Sequence, residues 1–445
     1  MEHKITKLGK ISPEFDVFKL KSALTKNDAG DWGDEPIEGN ANGILRSTNF
    51  TNQGILDLSD VAYRTLKPQK LAEKKLSAGE IIIERSGGSD TQPVGRIGFI
   101  TPEIADNNYA FANFIQRIAV DETIEPKYLY YCLQQMYEMG ITASMQYQTT
   151  GIRNLDWKLY TKSILPKPKP EEQKAIATIL SKVDEAIKAT ETSIRAAEKL
   201  KKSLMQNLLT GKLKPDGTWR EEDDFYKDEK FGNVPVGWEV KAIGDNSHCE
   251  INPNYKFTKG REYDFIPMEA VNDSFGGVTS PLEKRVIDGG GYTRYKKGDI
   301  IFAKITPCTE NGKVALIREC ETEIGFASTE FIVFSPKEII DSLFFYYLLS
   351  SSSVHMLAVS LMEGTTGRQR VPWKVFKNRI FAPIPTDVNE QKAIALLISS
   401  VETQNQSKNK KIDSLKRVKK SLMQNLLTGK VRVDLSKIEK ILNEI

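Results

Sequence analysis

EQKAIATILSKVDEAIKATETSIRAAEKLKKSLMQNLLTGK, residues 172–212, returns without a gap as EQKAIALLISSVETQNQSKNKKIDSLKRVKKSLMQNLLTGK, residues 390–430. The ends are identical, EQKAIA at the start and KKSLMQNLLTGK at the finish, while the middles share little beyond Ser181 and Ser399, Val183 and Val401, and Ile194 and Ile412. In the first copy Ile176, Leu180, Val183, Ile187, Thr190, Ile194 and Ala197 recur in alternating steps of four and three, the spacing of a coiled-coil seam. Gly211 and Gly429 stand where a left-handed cap needs a residue without a side chain, and Pro166, Pro168 and Pro170 block extension upstream. Each copy predicts one helix of about 40 residues, roughly 60 Å long, more than a single small domain buries. Its natural partner is the other copy. The second seam is weaker at Asn405 and Lys408, polar positions that either select register or leave the middle of the pair solvated.

Identical ends with divergent middles are expected when the ends contact something presented twice and the middles contact only each other. Gln173, Lys174, Leu204, Leu208, Gln391, Lys392, Leu422 and Leu426 are the candidate partner contacts.

A chain of 445 residues with 40% hydrophobic and 27% charged residues has the composition of a soluble protein of two to four domains. It holds no apolar run long enough to span a membrane, and MEHKITKLGK lacks the apolar centre of a secretory signal, so a cytoplasmic location is expected. Cys132, Cys249, Cys308 and Cys320 show no C-x-x-C spacing, and His3, His248 and His355 are scattered, which argues against a disulfide framework or a zinc site. The net charge of +4 neither demands nor excludes a polyanion. Residues 389–430 carry nine Lys or Arg against three acids, and 221–224 read EEDD. Such runs are ordinarily solvated faces.

Residues 1–169 read as short strands at 43–46, 81–84, 96–100 and 111–118, with a helix over 127–138 that Pro126 opens. Residues 213–387 repeat this order. Gly79-Glu80-Ile81-Ile82 matches Gly298-Asp299-Ile300-Ile301, residues 128–133 match 344–349, Thr150-Gly151-Ile152-Arg153 matches Thr366-Gly367-Arg368-Gln369, and Trp157 matches Trp373. The expected organisation is α+β: a domain over 1–169, a long helix over 170–212, a linker and second domain over 213–387, a second long helix over 388–430 and a tail over 431–445. A shared scaffold with divergent loops is how one fold reads two ligands.

Asn252-Pro253-Asn254-Tyr255 resembles the N-P-P-Y of adenine-N6 methyltransferases, but its third residue departs and no Gly-rich donor loop accompanies it, so a turn is expected. No phosphate loop, nucleophile or paired carboxylate stands in a recognisable setting. What remains are loops combining glycine with fork-shaped and amide side chains. In the first domain these are Arg85, Ser86, Ser89, Arg96, Arg153 and Asn154; in the second, Lys304, Thr306, Thr309, Asn311, Lys313, Arg368, Gln369 and Arg370. Arg and Lys reach guanine O6 and N7, Asn and Gln pair with adenine, and Ser or Thr takes phosphate.

The whole pattern resembles the specificity subunit of a Type I DNA restriction-modification system. The resemblance is carried by the duplicated domains, the P-x-x-W-like lead-in at 234–238 with a weaker one at 13–15, the proline bridges at 164–173 and 384–391, and above all the EQKAIA…LMQNLLTGK helices. It implies two target-recognition domains, each reading half of a split double-stranded DNA site, separated by two long helices that form an antiparallel coiled coil. It also implies a subunit with no catalysis and no cofactor of its own. Two modification (methyltransferase) subunits using S-adenosylmethionine, and restriction (endonuclease/translocase) subunits using ATP and Mg, would dock beside it. The tail exceeds what the helix repeat needs, and its Leu435, Ile438, Leu442 and Ile445 predict a further amphipathic helix. Two other classes stay open. A self-contained adenine methyltransferase would bind the methyl donor unaided, and a coiled-coil adaptor would show no sequence-dependent DNA affinity.

Overall fold

The computed structural model describes residues 4–89, 92–149, 151–274, 276–278, 282–365 and 367–436. The helix expected in the tail falls largely outside them. By contacts the chain divides into two units, Met1–Glu191 with Lys410–Ile445, and Thr192–Asn409. The dividing points lie inside both long helices, Pro170–Leu208 and Val388–Leu426. Each unit therefore holds one domain, the first half of the helix that follows it, and the second half of the other helix. The boundaries drawn from sequence followed the chain, whereas packing cuts the helices in two.

Unit 1 is built on four antiparallel strands, β1 (Leu24–Ala29), β2 (Ile81–Glu84), β4 (Ile97–Phe99) and β5 (Ile115–Val120), in the order β1-β5-β2-β4. Strand β3 (Ser86–Gly88) continues from β2 into a second, three-stranded sheet with β6 (Gln146–Thr149) and β7 (Ile152–Leu155), in the order β6-β7-β3. Helix α1 (Pro126–Glu138) has Pro126 in its first turn, where the missing N–H costs nothing. Ile81, Ile83 and Ile97 meet Tyr128, Leu129 and Leu133 of α1 in a core that also takes Ile176, Ala177 and Leu180 of the first long helix, Met423 and Leu426 of the second, and Leu427 just beyond it.

Unit 2 repeats the plan. Strands β8 (Cys249–Ile251), β9 (Ile300–Ala303), β10 (Val314–Leu316) and β11 (Phe331–Pro336) run antiparallel in the order β8-β11-β9-β10, the same order as in unit 1. Helix α2 (Ser342–Leu349), capped by the Asp341 side chain, takes the place of α1. Phe344 to Leu349 pack with Leu208 at the end of the first long helix, with Leu209 just beyond it, and with Ile394, Ala395 and Ile398 of the second.

Gly211 and Gly429 adopt φ of 67° and 68°, as the capping argument requires. Each site is also crowded. A methyl group at Gly211 would lie 2.2 Å from Pro235, and one at Gly429 would lie 2.8 Å from Ser12 and 2.9 Å from Phe15. The proline bridge, in contrast, does not stay outside the helix: Pro170 is the first residue of the first long helix, a position that tolerates proline.

Candidate nucleic-acid interface

The loops singled out from sequence leave the scaffold at matching places. In unit 1 the Arg85 N–H donates to Phe114 O at 2.8 Å and Arg85 O accepts from the Leu155 N–H at 2.8 Å. In unit 2 the Lys304 N–H donates to Glu330 O at 2.9 Å and Lys304 O accepts from the Val371 N–H at 2.8 Å. Two backbone bonds thus fix one strand exit in each unit, and the side chains around it differ.

Around the first exit, Ser86 Oγ donates to Asn154 Oδ1 at 2.6 Å, and Arg153 stands opposite Gly88 across β3 and β7. Arg85 donates to Gln116 at 2.9 Å, Gln116 in turn to Asn27 at 2.7 Å, and Trp157 Nε1 to the same Asn27 oxygen at 3.0 Å. The Arg85 guanidinium lies 5.7 Å from the Trp157 ring centre. Arg85, Ser86, Arg153 and Asn154 therefore form one group. Ser89 stands apart in a turn closed with Gln92.

Arg96 belongs to the interior. Its Nε and Nη2 grip both oxygens of Glu84 at 2.8 and 2.7 Å, and other guanidinium protons reach Phe50 O and Ser47 O. With Glu84 fully buried, the expectation that Arg96 faces a ligand gives way to a charge pair inside the sheet.

Around the second exit, the Thr306 N–H donates to Gln369 O, Ile305 pairs with Arg370, and Lys304 Nζ donates to Thr329 O at 2.7 Å. Arg370 is held by Glu330, and Arg368 is exposed nearby in sequence. Lys313 and Asn311 are drawn elsewhere. Lys313 Nζ donates to Met268 O and Val271 O at 3.1 and 2.7 Å, bracing a loop from beneath, and Asn311 Nδ2 reaches Asp273 at 3.5 Å. Thr309, buried, donates to Ala303 O at 2.9 Å.

Asn252 to Tyr255 is scaffold. Asn252 has a φ of 52° and exchanges bonds with Val333 through its backbone N–H and side-chain oxygen, while Tyr255 donates to Asp299 at 3.0 Å beside Ser335. Burial pushes the Asp299 carboxyl above its usual range.

The candidate partner contacts divide by burial. Gln173 accepts from the Glu125 N–H at 2.8 Å and donates to Pro168 O and Thr123 O at 3.0 and 3.2 Å. Gln391 does the same with Asp341, Pro385 and Ile339 at 2.8, 2.9 and 3.1 Å. Both side chains are consumed in seating the long helix on its domain. Leu208 and Leu426 are buried in their own cores, with Leu204 and Leu422 packed against them, leaving Lys174 and Lys392 exposed.

A repeated polar triad escaped the sequence reading. In unit 1 Tyr131 Oη donates to Asp184 at 2.8 Å and Lys419 pairs with the other Asp184 oxygen at 2.7 Å. In unit 2 Tyr347 donates to Glu402 at 2.7 Å and Lys201 takes its other oxygen. Burial raises both phenols well above their ordinary range, so each O–H stays protonated and donates. The signal lay in the repeat, where Tyr131 aligns with Tyr347, Asp184 with Glu402 and Lys201 with Lys419.

Two copies of one α+β domain, each carrying polar loops of its own at the same strand exit, define a duplicated binding protein. Comparison with known proteins makes this specific. The family model for the Type I restriction modification DNA specificity domain matches residues 16–199 and 235–417. The Type I restriction enzyme MjaVIII specificity subunit of Methanocaldococcus jannaschii is 28% identical over 319 residues, 70% of this chain and 72% of that protein. The putative MjaX specificity subunit of the same organism is 24% identical over 449 residues, 97% of this chain and 96% of that one. The crystal structure of the S subunit of a Type I restriction-modification system from M. genitalium shares the fold, with a TM-score of 0.54 at 16% identity over 95% of this chain and 99% of that one. The chain belongs to the Type I restriction modification DNA specificity family.

Proposed function

We propose that this chain is the DNA-reading subunit of a Type I restriction-modification complex, with each unit reading one half of a bipartite, asymmetric double-stranded site. The observation that carries the reading is the pair of matching strand exits, Arg85 and Lys304, held by the same backbone bonds and surrounded by different side chains. A scaffold that is constant while its loops diverge supplies two specificities from one fold. Catalysis belongs to partner subunits: methyl transfer from S-adenosylmethionine to modification subunits, and ATP- and Mg-dependent translocation and cleavage to restriction subunits. No single helix among the described residues is long and apolar enough to cross a membrane, and the complex works in the cytoplasm on DNA.

The two long helices pair as an antiparallel coiled coil in this reading. Its support is local. In unit 1 residues 176–180 of the first helix share a core with 423–426 of the second, and Asp184 meets Lys419. In unit 2 the order is mirrored, with Lys201 meeting Glu402.

Exchanging residues 1–169 for those of a relative tests the division of labour. Methylome sequencing of cells carrying the complex should show one half of the methylated motif changed and the other intact. A change in both halves, or in neither, would refute independent reading.

Partner docking falls on residues that are both identical between the copies and exposed: Lys174, Lys202, Ser203 and Gln206, and their counterparts Lys392, Lys420, Ser421 and Gln424. A face presented twice binds two copies of one partner. Lys202→Glu alone should weaken one docking site by about tenfold, roughly 1.4 kcal/mol, and native mass spectrometry should show complexes short of one modification subunit. Adding Lys420→Glu should remove the second.

A further inference from the structure

We propose that Arg370, held in place by Glu330, reads a guanine in the half-site of unit 2. The inference rests on the DNA-reading function above and assigns one residue of that surface to one base.

Arg370 sits where three segments meet. Its backbone exchanges two hydrogen bonds with Glu363, both 2.8 Å, and it pairs with Ile305 on the other side. Glu330 immediately precedes β11, with its carbonyl accepting from the Lys304 N–H at the strand exit. Its carboxylate takes Arg370 Nε at 3.0 Å and Nη2 at 2.7 Å. An exposed ion pair adds little to folding stability, and the Arg370 side chain is 47% exposed. What the pair supplies is orientation. A guanidinium has five N–H donors in a fixed fork, and Glu330 occupies only one edge. The Nη1 protons and the second Nη2 proton remain, and the Nη1–Nη2 edge matches the O6 and N7 acceptors that guanine presents in the major groove. A side chain already gripped at Nε loses less rotamer freedom when that edge engages a base. The guanidinium also lowers the pKa of the Glu330 carboxyl, so the grip extends to more acidic pH than an unpaired carboxylate would allow.

Unit 1 supplies the contrast. By the repeat, Asn154 takes the place of Arg370 and Phe114 that of Glu330. There Ser86 donates to the Asn154 amide oxygen, and no buttressed fork exists at the matching position. At that point unit 1 presents an amide in place of a guanidinium fork, so the two half-sites are expected to differ there.

The experiment uses the chain assembled with the modification subunits of its host, and duplexes carrying the methylated motif. Each guanine of the half-site read by unit 2 is replaced in turn by 7-deazaguanine, which lacks the N7 acceptor. One such replacement should weaken the wild-type complex, whereas the Arg370→Ala complex should be indifferent to it and should accept other base pairs there, a loss of roughly 5- to 150-fold in discrimination. Arg370→Lys keeps the charge without the planar fork and should retain only part of the response to 7-deazaguanine; it also serves if the alanine variant folds poorly. Glu330→Gln should lower affinity while keeping the preference for guanine. The proposal is overturned if this half-site contains no guanine on either strand, or if wild type and both Arg370 variants respond alike to every 7-deazaguanine. It fails alone if exchange of residues 1–169 still alters one half of the motif. If that exchange alters nothing, the DNA-reading function itself falls.

Discussion

Arg96→Ala should cost unit 1 about 3–5 kcal/mol, the usual penalty for removing one partner of a buried ion pair. The size follows from what stays behind. Glu84 is the last residue of β2, its side chain has no exposure, and both its oxygens are taken by Arg96. Deleting the guanidinium leaves a carboxylate with neither water nor a cation, and it also strips the donors from Phe50 O and Ser47 O. Amide exchange in Ile81–Glu84 and Ile97–Phe99 should accelerate by roughly a hundredfold or more, since about 1.4 kcal/mol corresponds to a factor of ten. The same amides in Ile300–Ala303 should be unaffected. Replacing both partners, Glu84→Gln with Arg96→Met, should recover much of the loss, because no charge is then stranded. A variant that loses DNA affinity while exchange in unit 1 stays at the wild-type rate would return Arg96 to the binding surface.

Arg432→Ala should destabilise the same unit by about 2–3 kcal/mol. Glu172, in the identical EQKAIA end, is 5% exposed, and Arg432 grips it through Nε and Nη2 at 2.7 Å each. The same guanidinium pairs with Glu14 and lies 5.1 Å from the centre of the Phe15 ring. Arg432 is itself 37% exposed, so water reaches the stranded carboxylate and the full penalty of a deep pair is not incurred. Urea unfolding, read by exchange in unit 1 against unit 2, checks both the size and its confinement. Unit 2 has its own version: Arg220 pairs with Glu390 and lies 5.5 Å from the centre of the Trp238 ring. Arg220→Ala should move the damage there.

The repeat, the helix caps, the strand at 81–84 and the helix over 127–138 were legible because each rests on local chemistry: periodicity, a glycine that accepts positive φ, a proline in a first turn. Equivalence between the halves was legible too, and it carried the strand exits with it. The fate of individual polar side chains was not. Lys313 and Arg370 look alike in sequence, yet one is captured by carbonyls of a loop some 40 residues away in the chain while the other keeps an edge open, and the path of a loop decides which. Glu84 and Arg96 are partners only because β2 and β4 are neighbours. The identical helix ends carried a mixed message. Gln173, Gln391, Leu208 and Leu426 repeat because they meet the same interior twice, and only the outward residues between them repeat without that reason.

Arg220 and Arg432 do the same work from different kinds of segment: Arg220 lies in the middle of an unbroken connection from the first long helix into the second domain, Arg432 in the last described stretch of the chain. In unit 1 Arg432 reaches Glu14 and Glu172, and Lys4 donates to Phe15 O at 2.8 Å; in unit 2 Arg220 and Trp238 reach Glu390 from one continuous stretch that carries the exposed Asp216-Gly217 turn. A clamp assembled from stretches far apart in the chain ties those stretches together as well as seating the helix, so Arg432 has a second task that Arg220 does not.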